Sequence, residues 1–273
     1  MADDIFDADW LTLREGVDHR SRATALEQQL AAFGAAAGWS RAVDLGCGTG
    51  SNLRHLAPRL PWVREWTLVD HDAGLLARVT LQHRPAPTLR RVEGTLEHEG
   101  LATIADVDLV TASALLDLVT ASWLDELVER VVAGQRGALF ALSYSGDVQW
   151  QGVADPDDAW MASVVNRHQQ GEKPMGRALG PEAVPHAARA FERRGYHCVV
   201  AESPWVLDPA QSPDDLGLAL AWLEGWVAAA HQLEPAETSR IDGWAERRRQ
   251  AMRTGQAGVR IGHFDLLALP TSP

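Results

Sequence analysis

From about residue 21 to residue 145, short apolar runs alternate with stretches whose apolar positions recur every three or four residues. Residues 21–38 predict a helix, with Ser21 as N-cap and Ala25, Leu26, Leu30 and Phe33 on one face. The runs 40–45, 66–70, 89–93, 108–112 and 137–144 predict five strands. Between them lie helical stretches at 51–60, 72–82 (broken off by Pro85 and Pro87) and 123–132. Strands and helices alternating at this pace predict an α/β fold, a doubly wound and mostly parallel sheet covered on both faces. A ligand of such a sheet belongs in the crevice at the carboxyl ends of the strands.

After Tyr144 the rhythm breaks. Residues 146–180 hold an acidic Pro-containing turn, a helical stretch near 159–169 and several Gly and Pro residues, a length and composition that suit a binding loop or lid. A helix over 181–194, a strand near 196–201, a largely helical region over 209–256 and a last strand over 259–269 complete the chain. Residues 1–20 predict a short helix anchored by Trp10. The expected organisation is one domain over 1–273: an N-terminal helical cover (1–38), a core (40–145), a substrate lid (146–180) and a helical insert (205–258) that serves as a cap or a homodimer contact.

The chemistry concentrates in Val43-Asp44-Leu45-Gly46-Cys47-Gly48-Thr49-Gly50-Ser51-Asn52, followed by Leu68-Val69-Asp70. An apolar run ending in an acid and a glycine cluster describes a buried strand turning tightly into a helix, with backbone open to close approach by a ligand. Asp70, at the end of the neighbouring strand, stands where a carboxylate accepts from both hydroxyls of a ribose. The spacing G-x-G-x-G departs from the dinucleotide fingerprint G-x-G-x-x-G, since Ser51 takes the third position. Asp44 would also repel a pyrophosphate, whereas it would attract an ammonium or sulfonium group.

This pattern resembles motif I and the acidic second strand of class I S-adenosylmethionine-dependent methyltransferases, with the resemblance covering about residues 40–145. It implies a Rossmann-like sheet of seven strands, the last antiparallel beside the fifth, and S-adenosylmethionine as cofactor. It implies that Gly46 and Gly48 meet the methionine end, that Asp44 draws its ammonium and that Asp70 holds the ribose. Gly94, Thr95 and Leu96 would border the adenine, with His71 or Asp72 on its other side. Ser113 would border the methionine moiety, and Arg14 would reach its carboxylate if the first helix folds over the site. The family joins its sixth and seventh strands by a short hairpin, whereas some fifty helical residues intervene here.

Methyl transfer needs alignment and exclusion of water more than acid or base chemistry. Where a base is needed, the candidates are His168 in the polar cluster Asn166-Arg167-His168-Gln169, Asp117 after the fourth strand, and Tyr144 at the end of the fifth. The expected activity is methyl transfer to a small molecule. Competing readings are a cyclase or lyase that keeps the cofactor, a non-catalytic cofactor-binding module, and a nicotinamide enzyme.

Charge narrows the partners. With 25 basic and 37 acidic residues the formal net charge is −12, which disfavours phosphate backbones unless a local basic face exists. The best such face is Glu246-Arg247-Arg248-Arg249 with Arg253 and Arg260. Cys47 and Cys198, far apart and outside any C-x-x-C spacing, read as reduced thiols. The ten histidines show no H-x-x-x-H pairing beside carboxylates, so no metal site is expected. The acidic N-terminal hexapeptide lacks an apolar signal core, and no run approaches a membrane span, so a cytoplasmic location without membrane contact is expected.

Overall fold

The computed structural model describes residues 7–272, and the N-terminal hexapeptide lies outside them. Two helices, α1 (Ala8–Ser21) and α2 (Thr24–Ala36), precede the sheet. The next segments run β1 (Arg41–Leu45), α3 (Ser51–Leu56), β2 (Glu65–Asp70), α4 (Ala73–Arg78), β3 (Thr88–Glu93), the single turn α5 (Leu101–Thr103), β4 (Leu109–Ser113) and α6 (Ala121–Ala133). The chain continues with β5 (Gly137–Gly152), α7 (Asp158–Gln169), the two-residue strands β6 (Glu172–Lys173) and β7 (Gly176–Arg177), α8 (Ala183–Glu192), β8 (His197–Glu202) and β9 (Trp205–Leu207). It ends with α9 (Pro213–Leu233), α10 (Thr238–Arg253) and β10 (Ala257–Leu269).

The main sheet runs β3-β2-β1-β4-β5-β10-β8, with β9 added to β10. Strands β1 to β5 pair in parallel, and β10 is antiparallel to both of its long neighbours. This is the doubly wound α/β arrangement expected, with β9 as an eighth strand. The central strands are apolar on both faces because helices cover both. Helix α6 buries Trp123, Leu124, Leu127, Val128 and Val131, and its first turn is capped by Thr120, whose Oγ accepts from Trp123 N at 3.2 Å. On the opposite face Leu26, Leu30, Leu53 and Leu56 pack against Trp66 and Leu68.

A third core explains the break in rhythm after Tyr144. Strand β5 does not end there but continues to Gly152, pairing with β10 from Ala257↔Gly152 to Ala268↔Ala138. This extended ribbon carries α7, α9 and α10, whose Met161, Leu223, Trp226, Ile241 and Trp244 share a core with Tyr144 and Ile261.

Several local expectations are corrected. Ser21 is the last residue of α1 and not an N-cap; the chain turns at Arg22 and Ala23, and α2 begins without a side-chain cap. Helices α3 and α4 stop at Leu56 and Arg78, shorter than the periodicity suggested. The basic run at 246–249 is consumed internally. Arg247 pairs with Asp155 at 2.5 Å and Asp157 at 2.8 Å, and Arg249 with Glu224 at 2.7 Å. Arg248 is buried, bonded to Asp158 and to Val153 O, and stacked over Trp150. Arg260 pairs with Asp147 and Glu202. Among the described residues, no helix is long and apolar enough to cross a membrane.

Candidate functional site

At the end of β1 the backbone turns through Gly46 (φ +63°) and Gly48 (φ +52°), a region in which a side chain would be strained. Cys47 N donates to Val69 O at 3.0 Å, which pins the turn to β2. Gly48 N donates to Asp70 Oδ2 at 2.7 Å, and Asp72 N to Asp70 Oδ1 at 3.0 Å. Asp70 therefore sits at the centre of both loops, with lone pairs remaining on each oxygen for a ligand.

Asp44 lies beneath the turn and is fully buried. Its Oδ1 accepts from Asn52 Nδ2 at 2.7 Å and Thr111 Oγ at 3.1 Å. Its Oδ2 is buried with no partner in the protein. Burial, reinforced by nearby Asp70, pushes the Asp44 carboxyl up to about 6, although Asn52, Thr111 and Arg22 pull it down. A buried polar atom without a partner is costly, so an unpartnered acceptor on a cavity-lining residue marks a place for a donor.

These groups line one cavity of about 750 Å³ at the carboxyl ends of β1–β4. All ten residues expected at the cofactor reach its wall: Asp44, Gly46 and Gly48 after β1, Asp70 and His71 after β2, Gly94, Thr95 and Leu96 after β3, Ser113 after β4, and Arg14 from α1. Helix α1 does fold across the opening, bringing Leu11, Arg14 and Asp18. Arg14 is held in place by Asp18, with Nε at 2.9 Å and Nη2 at 3.2 Å, and its guanidinium lies 4.9 Å from the Trp205 ring centroid. Past β4, Ala114 adopts φ +52° and donates its N–H to Ala141 O at 2.9 Å, and Leu115 enters the wall. Leu118 and Val119 extend that wall, and Lys173, Pro174 and Met175 of the β6–β7 hairpin close it.

The three expected acid–base residues are not among those that line the cavity. Asp117 is buried with no partner on Oδ1; burial pushes its carboxyl up to about 6, against the pull of Arg14 and Lys173, which line the cavity. Tyr144 donates its hydroxyl to Asn166 Oδ1 at 2.9 Å and thus ties β5 to α7. His168 Nε2 donates to Gln232 Oε1 at 2.9 Å, because this face of α7 packs on α9. Tyr144→Phe is expected to cost about 1 kcal/mol of stability, the net value of one hydrogen bond, and to leave ligand affinity intact. Urea unfolding beside calorimetric titration checks both.

Sequence reasoning missed Leu11, Asp18, Asn52 and the 173–175 hairpin as wall residues. For Asp18 a signal existed, since Arg14 and Asp18 are spaced i,i+4 on one helix. Asn52 stood one position beyond Ser51, on the first turn of the helix that the glycine turn launches.

The sheet is doubly wound, with an acid-flanked glycine turn and a cavity at the carboxyl ends of its strands, where ligands of such sheets sit. Residues 42–134 match the family model described as a methyltransferase domain. No curated protein matches the chain in sequence. A cyclopropane-fatty-acyl-phospholipid synthase-like protein from Lactobacillus casei is similar in structure, with 17% identity, 97% of this chain and 94% of that chain covered, and a TM-score of 0.50. A SAM-dependent methyltransferase from Geobacter sulfurreducens, solved with S-adenosyl-L-homocysteine, has 15% identity, coverage of 99% and 100%, and a TM-score of 0.47. A cyclopropane synthase from Mycobacterium tuberculosis has 15% identity, coverage of 96% and 94%, and a TM-score of 0.49. The methyltransferase resemblance and the fold class expected from the sequence are both borne out.

Proposed function

We propose that the chain binds S-adenosylmethionine in this cavity and transfers its methyl group to a small-molecule acceptor. The observation that carries the cofactor is Asp44 Oδ2, a buried acceptor without a partner at the wall of the cavity, directly under the glycine turn. It suits a cationic ammonium and would oppose a pyrophosphate. Asp70 receives the ribose hydroxyls, Gly94–Leu96 border the adenine, and Arg14 faces the carboxylate. The cavity lies within the range of roughly 300–1,000 Å³ that holds small organic ligands.

S-adenosylmethionine supplies an already electrophilic methyl group, so the protein's task is to align the acceptor and keep water away. Leu115, Leu118, Val119, Pro174 and Met175 form an apolar wall beyond Ser113, the side on which an acceptor would enter. Helix α1 and the β6–β7 hairpin act as cover and lid. Asp117, Tyr144 and His168 are not among the lining residues, and an acceptor that arrives with its nucleophile ready needs none of them.

Incubation with S-adenosylmethionine and pooled small-molecule acceptors should release S-adenosylhomocysteine. Consumption of the cofactor without that product would instead favour a cyclase or lyase. Calorimetric binding of a nicotinamide dinucleotide but not of S-adenosylmethionine would sink the reading.

A further inference from the structure

Behind the cavity, out of reach of any ligand in it, Arg22 stands at the elbow between α1 and α2 with its side chain buried. Its Nη1 donates to Asn52 Oδ1 at 2.8 Å, and Asn52 Nδ2 donates to Asp44 Oδ1 at 2.7 Å. On its other side Arg22 Nε lies 3.4 Å from Glu27 Oε1 and 3.6 Å from Asp265 Oδ2. Asp265 is itself committed: Oδ2 accepts from Ala23 N at 2.9 Å, and Oδ1 from Leu142 N at 2.8 Å. Leu142 holds φ +53° within β5, opposite the register shift of β10 between Phe264 and Leu266. Glu27 also holds His55 at 2.7 Å. A continuous polar chain thus runs from the sheet's irregular centre, through the elbow, to the carboxylate under the glycine turn.

We propose that Arg22 is a positioning residue that couples the seating of the α1 cover to the orientation of Asp44, and so to recognition of the cofactor's amino-acid end. The inference rests on the S-adenosylmethionine reading. Two features separate it from structural glue. An ion pair that served stability alone could be replaced by apolar packing at little cost or even with gain. Here the cation is spent on an amide whose other end fixes one Asp44 oxygen and leaves the second buried without a partner, in a residue that lines the cavity. The same elbow sets where α1 lies, and α1 delivers Leu11, Arg14 and Asp18 to the opposite side of that cavity. Binding at Asp44 and Arg14 and the closing of α1 are therefore reciprocal through Arg22.

The test uses two probes on the full chain by calorimetry: S-adenosylhomocysteine, which carries the amino-acid end, and 5′-methylthioadenosine, which lacks it. Arg22→Gln should weaken S-adenosylhomocysteine by about tenfold or more, within the usual span of coupling energies, while 5′-methylthioadenosine changes less than about twofold. Asp265→Asn, which removes the charge and one of the two acceptors that hold Ala23 N and Leu142 N, should show the same selectivity in smaller degree. It also stands in if Arg22→Gln fails to fold by circular dichroism. Hydrogen exchange should show α1 amides protected by S-adenosylhomocysteine in the wild type and less so in the variants. Equal losses for both probes, or none for either, overturn the coupling. A wild type that binds neither probe overturns the cofactor reading itself, and the inference with it.

Discussion

Asp70→Ala is expected to weaken S-adenosylmethionine binding by roughly a hundredfold or more, measured by calorimetry. Two contributions add. The carboxylate would hold both ribose hydroxyls by charge-assisted hydrogen bonds, each worth about 1.5–3 kcal/mol, and about 2.7 kcal/mol is already a hundredfold. The same carboxylate holds the site itself, because Gly48 N and Asp72 N both donate to it. Removing it frees the glycine turn and the start of α4 together. Asp70→Asn keeps one acceptor oxygen and so holds only one of the two loop amides; an intermediate loss of affinity is expected, with a thermal melt between those of Asp70→Ala and the wild type. Unchanged affinity in Asp70→Ala would remove the ribose from this position.

The parts of this protein legible in its sequence are those fixed over short chain distances. Asp44, the glycines and Asp70 all belong to one strand–turn–helix–strand unit, so spacing alone placed them on a common wall. The residues Gly94, Thr95, Leu96 and Ser113 followed because parallel strands present the ends of their connections at one edge. Residues placed by long-range packing were not legible. His168 lies where it does because α7 meets α9, where its partner Gln232 lies 64 residues further on, and nothing in the polar run 166–169 records that contact.

The extension of β5 left a trace that was overlooked. Val148 and Trp150 alternate with Asp147, Gln149 and Gln151, the period of a half-buried strand. It extends a strand expected to end at Tyr144, and its partner lies more than a hundred residues away in β10. Ser21 illustrates the opposite error. A good capping residue stood before a periodic run, but Asp265 supplied the acceptor for the elbow amide of Ala23, and α1 simply continued through the serine. Tertiary contacts overrode the local preference.

Acidification should loosen the cofactor through Asp44. In the ligand-free fold burial holds this carboxyl up to about 6, against 3.8 for the unperturbed group. A raised value means that the native state binds the proton more tightly than the unfolded chain. This group's contribution to the empty protein's stability therefore declines as pH rises from about 4 to about 6. Ligand binding has the opposite sign, because a bound ammonium favours the ionised carboxylate and must displace the proton. Affinity for S-adenosylhomocysteine should be flat above about pH 6 as far as this group is concerned, then fall by about tenfold per pH unit below it. Asp44→Asn should bind more weakly at neutral pH and lose this limb. Asp117, also held up to about 6 and near the wall residues Arg14 and Lys173, tests whether the limb belongs to Asp44. Asp117→Asn should keep the limb, and 5′-methylthioadenosine, which has no ammonium, should show none with either protein. A limb that persists in Asp44→Asn would assign the proton elsewhere and detach Asp44 from the cofactor's ammonium.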